Sequence, residues 1–199
     1  MARDLRICFV GDSFVAGVGD PLCCGWAGRL GVAAHADGLP YTGYNLGVRR
    51  QTSADIAARW QAECAPRLPD GTEARVVFSF GVNDTVHEDD SPRVEPDASA
   101  ANLTAMLADA AARGWPTLVV APPPVDDDAH NARTARLDER FAEICAAARV
   151  PYVRVHHELR ANEVWMREVR AGDGAHPSAG GYDAIAALIL PAWRDWLSR

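Results

Sequence analysis

The chain has 199 residues and a formal net charge of −7, and 48% of its residues are hydrophobic while 24% are charged. This length predicts a single domain over residues 1–199 that buries a full core without disulfide or metal support. The acidic balance leaves no basic surface for nucleic acid, and no apolar run approaches the ~18 residues that membrane insertion requires.

The types of basic residue and the spacing of the cysteines exclude several catalytic mechanisms. All 20 basic residues are arginine, which excludes a Schiff-base lysine, a Ser/Lys pair and the lysine of a P-loop. The 5 cysteines show no CxxC spacing, so we expect reduced thiols, and a redox role for the adjacent pair Cys23 and Cys24 stays open. Because the N-terminus enters the first strand without a signal-peptide pattern, we expect a cytoplasmic protein.

The first half of the chain alternates short apolar runs with amphipathic stretches. An apolar run that begins at Leu5 stops at Gly11, Asp12 and Ser13, which is typical of a buried parallel strand closed by a turn. A helix over about 25–36, a strand around 41–46 and a helix over 53–64 follow. The β-branched and aromatic run over 75–80 is the strongest strand signal.

The second half continues the alternation. The acidic stretch 87–97 is predicted as a loop, and an alanine-rich helix over 98–113 and a strand over 116–121 follow it. The remaining predicted elements are a helix over 131–148, a strand over 152–155, one irregular helix within 156–170 and a final helix over 178–197.

Five strands that alternate with helices predict an α/β fold, a three-layer α/β/α sandwich around a five-stranded parallel sheet. The commonest arrangement of this flavodoxin-like kind has strand order 2-1-3-4-5, with a ligand crevice at the switch point between strands 1 and 3. Ser13, Gly47 and Asn83 follow strands 1, 2 and 3. We therefore expect these residues to meet at one crevice.

Ser13 is the candidate nucleophile, because it lies just past the first strand, where open α/β sheets bind ligands. The same turn also suits a phosphate or a helix cap. His176 is the candidate base, since Pro177 disfavours helical geometry at His176. Asp173 precedes it by three residues, within reach across one turn, so a carboxylate can orient the imidazole. An Asp-Gly turn with a surface histidine is the alternative.

Acyl transfer by serine also needs donors where negative charge develops on the substrate oxygen. The candidate oxyanion donors are the backbone amides of Ser13 and Gly47 and the side-chain amide of Asn83. Taken singly, Gly47 and Asn83 are also ordinary turn formers. Taken together with the serine and the histidine, they form a set suited to nucleophilic catalysis.

These segments resemble the SGNH hydrolases, the GDSL-type esterases and lipases. The resemblance is carried by four segments in the order of that family: Gly11-Asp12-Ser13-Phe14, Asn45-Leu46-Gly47, Gly81-Val82-Asn83-Asp84 and Asp173 to Pro177. Phe14 stands where the family usually has leucine, an apolar change that concerns the shape of the pocket. The resemblance implies a three-layer fold, the triad Ser13, His176 and Asp173, and an oxyanion hole of Ser13, Gly47 and Asn83.

The hypothesis from the sequence is a serine esterase that acts on a small-molecule ester through an acyl-enzyme, without a metal or a cofactor. The loops after the strands carry no long apolar lid, which favours small or short-chain carboxylic or thio esters. Arg49 and Arg50, just past Gly47, are candidates to meet an anionic substrate. An acyltransferase with the same triad and a non-catalytic flavodoxin-like phosphate-binding module are the alternatives, and the physiological ester and the oligomeric state stay open.

Overall fold

The computed structural model describes residues 4–199. Within them lie seven strands: β1 (Leu5–Gly11), β2 (Thr42–Gly47), β3 (Glu73–Ser79), β4 (His87–Glu88), β5 (Ser91–Pro92), β6 (Thr117–Val120) and β7 (Tyr152–Val153). The eight helices of this part of the chain are α1 (Ser13–Ala16), α2 (Gly25–Ala36), α3 (Ser53–Cys64), α4 (Pro96–Ala112), α5 (Asp128–Ala148), α6 (His156–Ala161), α7 (Glu163–Ala171) and α8 (Ala179–Ser198). None of these helices has the length and apolar character needed to cross a membrane.

Five strands form one parallel sheet in the order β2-β1-β3-β6-β7. Because β6 and β7 are the fourth and fifth strands of this sheet, its order is 2-1-3-4-5, and the predicted arrangement is confirmed. Val10 of β1 pairs in register with Leu46 of β2 on one side and with Phe78 of β3 on the other. The direction of winding reverses between β1 and β3, which opens a crevice at their carboxyl ends.

Helices cover both faces of the sheet. Alternate side chains of β1 point to opposite faces, and both sets of side chains are buried under helices. Phe9 packs in one core with Trp26 of α2 and Trp193 of α8. The next residue, Val10, packs in a second core with Trp60 of α3. The predicted three-layer α/β/α sandwich is therefore confirmed.

Two segments depart from the predicted elements. The predicted loop over 87–97 contains the antiparallel pair β4 and β5, joined by Asp89 and Asp90, whose φ angles of 50° and 64° are those of tight hairpin turns. The irregular helix predicted within 156–170 is two helices. Asn162 separates them with an extended backbone, and its Oδ1 accepts a 2.9 Å hydrogen bond from Trp165 N at the start of α7.

Candidate active site

The nucleophile candidate begins a one-turn helix directly after the central strand. The side chain of Asp12 caps α1, and its Oδ1 accepts a 3.0 Å hydrogen bond from Phe14 N. Ser13 is therefore held at the first helical position, with only 5% of its surface exposed. This short helix was not predicted, since four residues are too few to show helical periodicity.

Ser13, His176 and Asp173 are brought together in a chain of hydrogen bonds. The Nε2 atom of His176 lies 2.8 Å from Ser13 Oγ, and its Nδ1 atom lies 2.8 Å from Asp173 Oδ2. A carboxylate can only accept, so Nδ1 carries the hydrogen and donates it to Asp173. In the neutral ring, Nε2 then keeps its lone pair and accepts from the Ser13 hydroxyl.

Asp173 also fixes the turn that presents the imidazole. Its Oδ1 accepts hydrogen bonds from Ala175 N at 3.0 Å and from His176 N at 2.8 Å. Partial burial raises the pKa of Asp173, but the hydrogen bonds from the backbone and ring of His176 outweigh burial and bring the pKa to about 2. The carboxylate is therefore ionised at neutral pH and stabilises an imidazolium beside it.

The loop after α1 packs against the segment that carries His176. Gly19 has a φ of 87°, and a Cβ added there would lie 2.6 Å from Pro177 O, so only glycine permits this approach. Arg29 joins the same two regions, since its Nη1 donates to Asp20 Oδ2 at 2.6 Å and its Nη2 donates to Ala179 O at 3.1 Å. The segment that carries His176 is thus packed against the segment that follows Ser13.

The two other candidate oxyanion donors are engaged with the protein itself. Asn83 Nδ2 donates to Gln51 O at 3.0 Å and lies 3.4 Å from Asp12 Oδ2. Gly47 N donates to Asn45 Oδ1 at 3.0 Å. Gln51 and the side chain of Asn45 carry no chemical signal of their own in the sequence, so neither acceptor was predicted.

Gly47 has a packing role that is independent of any donor role. It lies opposite Gly11 in the register of β1 and β2. A Cβ at Gly47 would lie 2.2 Å from Ala16 N and 2.8 Å from Asp12 O. Real Cβ atoms do not approach backbone so closely, so glycine is required for β2 to pack against the turn that carries Ser13.

Two carboxyl groups lie buried behind the site. Burial and, to a smaller extent, the nearby Asp84 raise the pKa of Asp12 to about 7, although the hydrogen bond from Phe14 N lowers it. Burial also raises the pKa of Asp84, although Asp84 accepts hydrogen bonds from Ser53 N and Ser99 Oγ, both at 2.7 Å. The position of Asp12 before a helix start is the sequence signal that could have identified it as a cap.

Four of the five site residues proposed from the sequence line one cavity of about 360 Å³: Ser13, Asn83, Asp173 and His176. The rest of its lining is Phe14, Val82, Val86, Val125, Asp126, Asp127, His130, Gly174 and Ala175. Gly47 is not among these lining residues. Three other cavities are larger. Those of about 450 and 470 Å³ contain none of the proposed site residues, and one of about 370 Å³ borders Asp173 and His176 but not Ser13. Chemistry rather than size therefore identifies the site.

Arg50, Cys23 and Cys24, which the sequence also singled out, do not line this cavity. The side chain of Arg50 is 82% exposed and approaches Glu88 at 4.0 Å. Cys23 and Cys24 are free thiols, and burial raises the pKa of Cys24, whose Sγ lies 3.4 Å from Asp20 Oδ2. Over residues 4–199, no group of three or more His, Cys, Asp or Glu side chains is placed to hold a metal ion.

The chain is similar to known proteins both in sequence pattern and in fold. A model of the GDSL-like lipase/acylhydrolase family matches residues 9–184. Curated protein sequences gave no match. The fold is similar to that of a lipase/acylhydrolase from Enterococcus faecalis, with 23% identity, 96% of each chain covered and a TM-score of 0.77.

Two further solved structures share the fold. The acetylxylan esterase Axe2 from Geobacillus stearothermophilus has 18% identity and a TM-score of 0.80, with 96% of this chain and 95% of that chain covered. The second is the psychrotrophic esterase EstA from Pseudoalteromonas sp., in a structure inhibited by monoethylphosphonate. It has 18% identity and a TM-score of 0.78, with 98% of this chain and 100% of that chain covered.

Proposed function

Because the chain belongs to the GDSL-like lipase/acylhydrolase family, we propose that it is a serine esterase in which Ser13 attacks the carbonyl of a small or short-chain carboxylic or thio ester. The observation that carries this proposal is the chain of two 2.8 Å hydrogen bonds from Ser13 through His176 to Asp173. A binding site for phosphate has no use for a base oriented in this way.

In this mechanism His176 moves every proton. Its Nε2 takes the proton of Ser13 as Oγ bonds to the carbonyl carbon, and returns it to the leaving alcohol or thiol when the tetrahedral intermediate collapses to the acyl-enzyme. His176 then removes a proton from water as the water oxygen attacks the acyl carbon, and returns that proton to Ser13 Oγ when the bond between Oγ and the acyl carbon breaks and the acid is released. The ionised Asp173 stabilises the imidazolium that forms during acylation and again during deacylation.

The negative oxygen of each tetrahedral intermediate needs donors, and we assign this role to the amides of Ser13 and Gly47 and to Asn83 Nδ2. Two of these donors are bonded to internal acceptors, Asn45 Oδ1 and Gln51 O. A developing oxyanion is a stronger acceptor than a neutral carbonyl oxygen, so the exchange favours the transition state over the ground state.

The dimensions of the cavity support a small acyl or alcohol group. Its volume is about 360 Å³ and its apolar lining includes Phe14, Val82, Val86 and Val125. Cavities of this size lie at the lower end of the range for small-molecule sites. We therefore assign short-chain esters rather than long-chain lipids as substrates.

The experiment that tests this function is hydrolysis of p-nitrophenyl esters from acetate to decanoate by the wild type, Ser13→Ala and His176→Ala. We expect both substitutions to abolish turnover and activity to fall as the acyl chain lengthens. Matched controls are Ser198→Ala and His157→Ala, which remove an exposed serine and an exposed histidine and should keep full activity.

Labelling by a fluorophosphonate provides a second measurement on the same proteins. We expect the wild type to be labelled on Ser13 and Ser13→Ala to stay unlabelled. A folded wild type that hydrolyses no ester and takes no label would overturn the esterase in favour of the phosphate-binding module. Adding alcohols as acceptors separates an acyltransferase, because transfer would then exceed hydrolysis.

A further inference from the structure

A cavity of about 470 Å³ lies between the hairpin of β4 and β5, the start of α4 and the middle of α5. Three arginines of α5 line it, Arg133, Arg136 and Arg140, and we call it the arginine cavity. None of its lining residues lines the cavity of Ser13. The proposed ester chemistry therefore gives this space no role.

The three arginines lie on one face of α5. They are three, four and seven positions apart, and residues at these spacings are neighbours along one side of a helix. Like charges at the shorter two spacings repel one another and disfavour the helix. An anion bound beside them relieves this repulsion.

Two of these arginine side chains reach from α5 to other walls of the arginine cavity. Arg133 Nε donates to Thr85 O at 2.8 Å, and Arg140 Nη2 donates to Asp97 Oδ1 at 2.6 Å. Thr85 lines the cavity on the segment that follows β3, and Asp97 lies in the first turn of α4. Both guanidinium groups are therefore fixed between α5 and these walls.

Part of the positive charge at the arginine cavity is left uncompensated. Arg133 bonds only to a neutral carbonyl oxygen, and among residues 4–199 its Nη atoms and the whole guanidinium group of Arg136 have no hydrogen-bond partner. Asp127 is near enough to attract Arg133, although the two form no ion pair. The acids at the cavity are Glu95, which lines it, and Asp97. Three guanidinium groups against two carboxylates leave one positive charge, in a chain whose formal net charge is −7.

Much of the remaining lining is apolar. Pro92, Val94 and Pro96 line the side of the hairpin and α4, and Leu137 lies among the arginines of α5. A volume of about 470 Å³ lies within the range of small-molecule sites. An occupant that matches this lining therefore has an apolar body and a single negative charge.

We propose that the arginine cavity binds a small organic carboxylate, whose apolar body packs against Pro92, Val94 and Leu137 and whose carboxylate is held by Arg133 and Arg136. The planar guanidinium group matches a carboxylate through two parallel hydrogen bonds. This site goes beyond the esterase function, since no proposed catalytic residue contributes to it. A neutral molecule of the same shape lacks the charged hydrogen bonds and binds more weakly, by about tenfold to a hundredfold.

The first test is calorimetric titration of the wild type with benzoate, benzamide and inorganic phosphate at one ionic strength, because salt screens charges at exposed sites. Benzamide keeps the ring of benzoate without its charge, and phosphate keeps a charge without an apolar body. We expect saturable binding of benzoate, and at least tenfold weaker binding of the other two. No saturable binding of benzoate, or equal affinity for benzamide or phosphate, would overturn the proposal.

The second test locates the benzoate site. Arg136→Gln removes a charge without breaking a hydrogen bond inside the described chain, so this variant should fold as the wild type does. Arg149→Gln is the matched control, because the side chain of Arg149 also has no hydrogen-bond partner among residues 4–199 and lines a different cavity. We expect Arg136→Gln and Arg133→Gln to weaken benzoate binding about tenfold each and Arg149→Gln to leave it unchanged. Unchanged binding in Arg136→Gln, or an equal loss in Arg149→Gln, would contradict the assigned site.

Hydrolysis of p-nitrophenyl acetate in the presence of benzoate separates this proposal from the esterase. Competitive inhibition that persists in Arg136→Gln would place benzoate in the cavity of Ser13 and overturn the arginine cavity as its site. A wild type that binds benzoate through Arg136 but hydrolyses no ester would contradict the esterase alone.

Discussion

The two sides of the cavity are built differently. On the side of the nucleophile, the site residues bond to one another, from Ser13 through His176 to Asp173. On the oxyanion side, Gly47 and Asn83 bond to groups that have no part in the proposed chemistry. The first side is assembled before any substrate arrives, and the second side must exchange its partners when the substrate oxygen becomes charged.

Because they are built differently, the two sides should respond differently to substitution. Removing a member of the assembled side breaks a chain in which each group depends on the next. Removing a donor from the other side removes one of several hydrogen bonds to the transition state. The assembled side should therefore show the larger losses of activity.

Asp173→Asn tests the assembled side. An asparagine keeps the acceptor for His176 N but presents an amide N–H to Nδ1, so the ring carries its hydrogen on Nε2 and cannot accept from Ser13. We expect kcat to fall on the order of 10⁴-fold, as for a triad with the wrong tautomer. The measurement is kcat on p-nitrophenyl acetate, with Asp128→Asn as the control. A loss below tenfold would contradict the role of Asp173.

Asn83→Ala tests the oxyanion side. Removing this donor should lower kcat by roughly 10²–10³, about 3 kcal/mol of transition-state stabilisation, with a smaller change in KM. The measurement is kcat and KM on the same ester. Asn102→Ala is the matched control, because Asn102 Nδ2 donates to Ser53 Oγ at 2.9 Å away from the cavity lining. If Asn83→Ala keeps the wild-type kcat, Asn83 is not an oxyanion donor.

Gly47→Ala separates the packing role of Gly47 from its proposed donor role. Its Cβ would lie 2.2 Å from Ala16 N, so β2 or α1 must shift, and we expect a loss of about 3 kcal/mol in the free energy of unfolding. Urea unfolding measures this loss. Gly43→Ala in the same strand is the control, because its Cβ would meet the ring of Tyr41 at 3.0 Å rather than backbone. Equal stability of the two variants would contradict the close approach.

Asp12→Asn should have the smallest effect, and its sign depends on pH. The pKa of Asp12 is raised by burial to about 7, above its unfolded value, so the stability it contributes is full below about pH 4 and is lost as pH rises through 7. Wild type should therefore lose about 2 kcal/mol relative to Asp12→Asn between pH 5 and pH 7. Urea unfolding at both pH values measures this change, and Asp70→Asn on an exposed loop is the control. A difference that does not change with pH would show that Asp12 titrates normally.

The fold and the meeting of the site residues follow from strong local signals. The continuous apolar runs of β1 and β3 predict buried parallel strands, and the carboxyl ends of such strands share one edge of the sheet. Pro177 and the three-residue spacing from Asp173 to His176 predict the turn that orients the imidazole. Each of these signals is contained in a stretch of a few residues, so it can be recognised in the sequence alone.

The features that the sequence did not predict depend on contacts between distant segments. Gln51 O accepts from Asn83 Nδ2, 32 positions away in the sequence, only because the loop after β2 reaches the residues that follow β3. The ring of His130 meets Val82 O across 48 positions of sequence. Single-residue propensities carry no information about such contacts, which tertiary packing decides.

The joining of the two ends of the chain has a consequence for biosynthesis. Ser13 leaves the ribosome early, and His176 follows 163 residues later. Gly19 and Arg29 can close on Pro177 and Ala179 only once that last segment has emerged, and domains generally fold as units during synthesis. Under the proposed mechanism, a nascent chain that has not yet reached His176 lacks the base for Ser13, so ester cleavage begins only after that last segment has been synthesised and has folded into place.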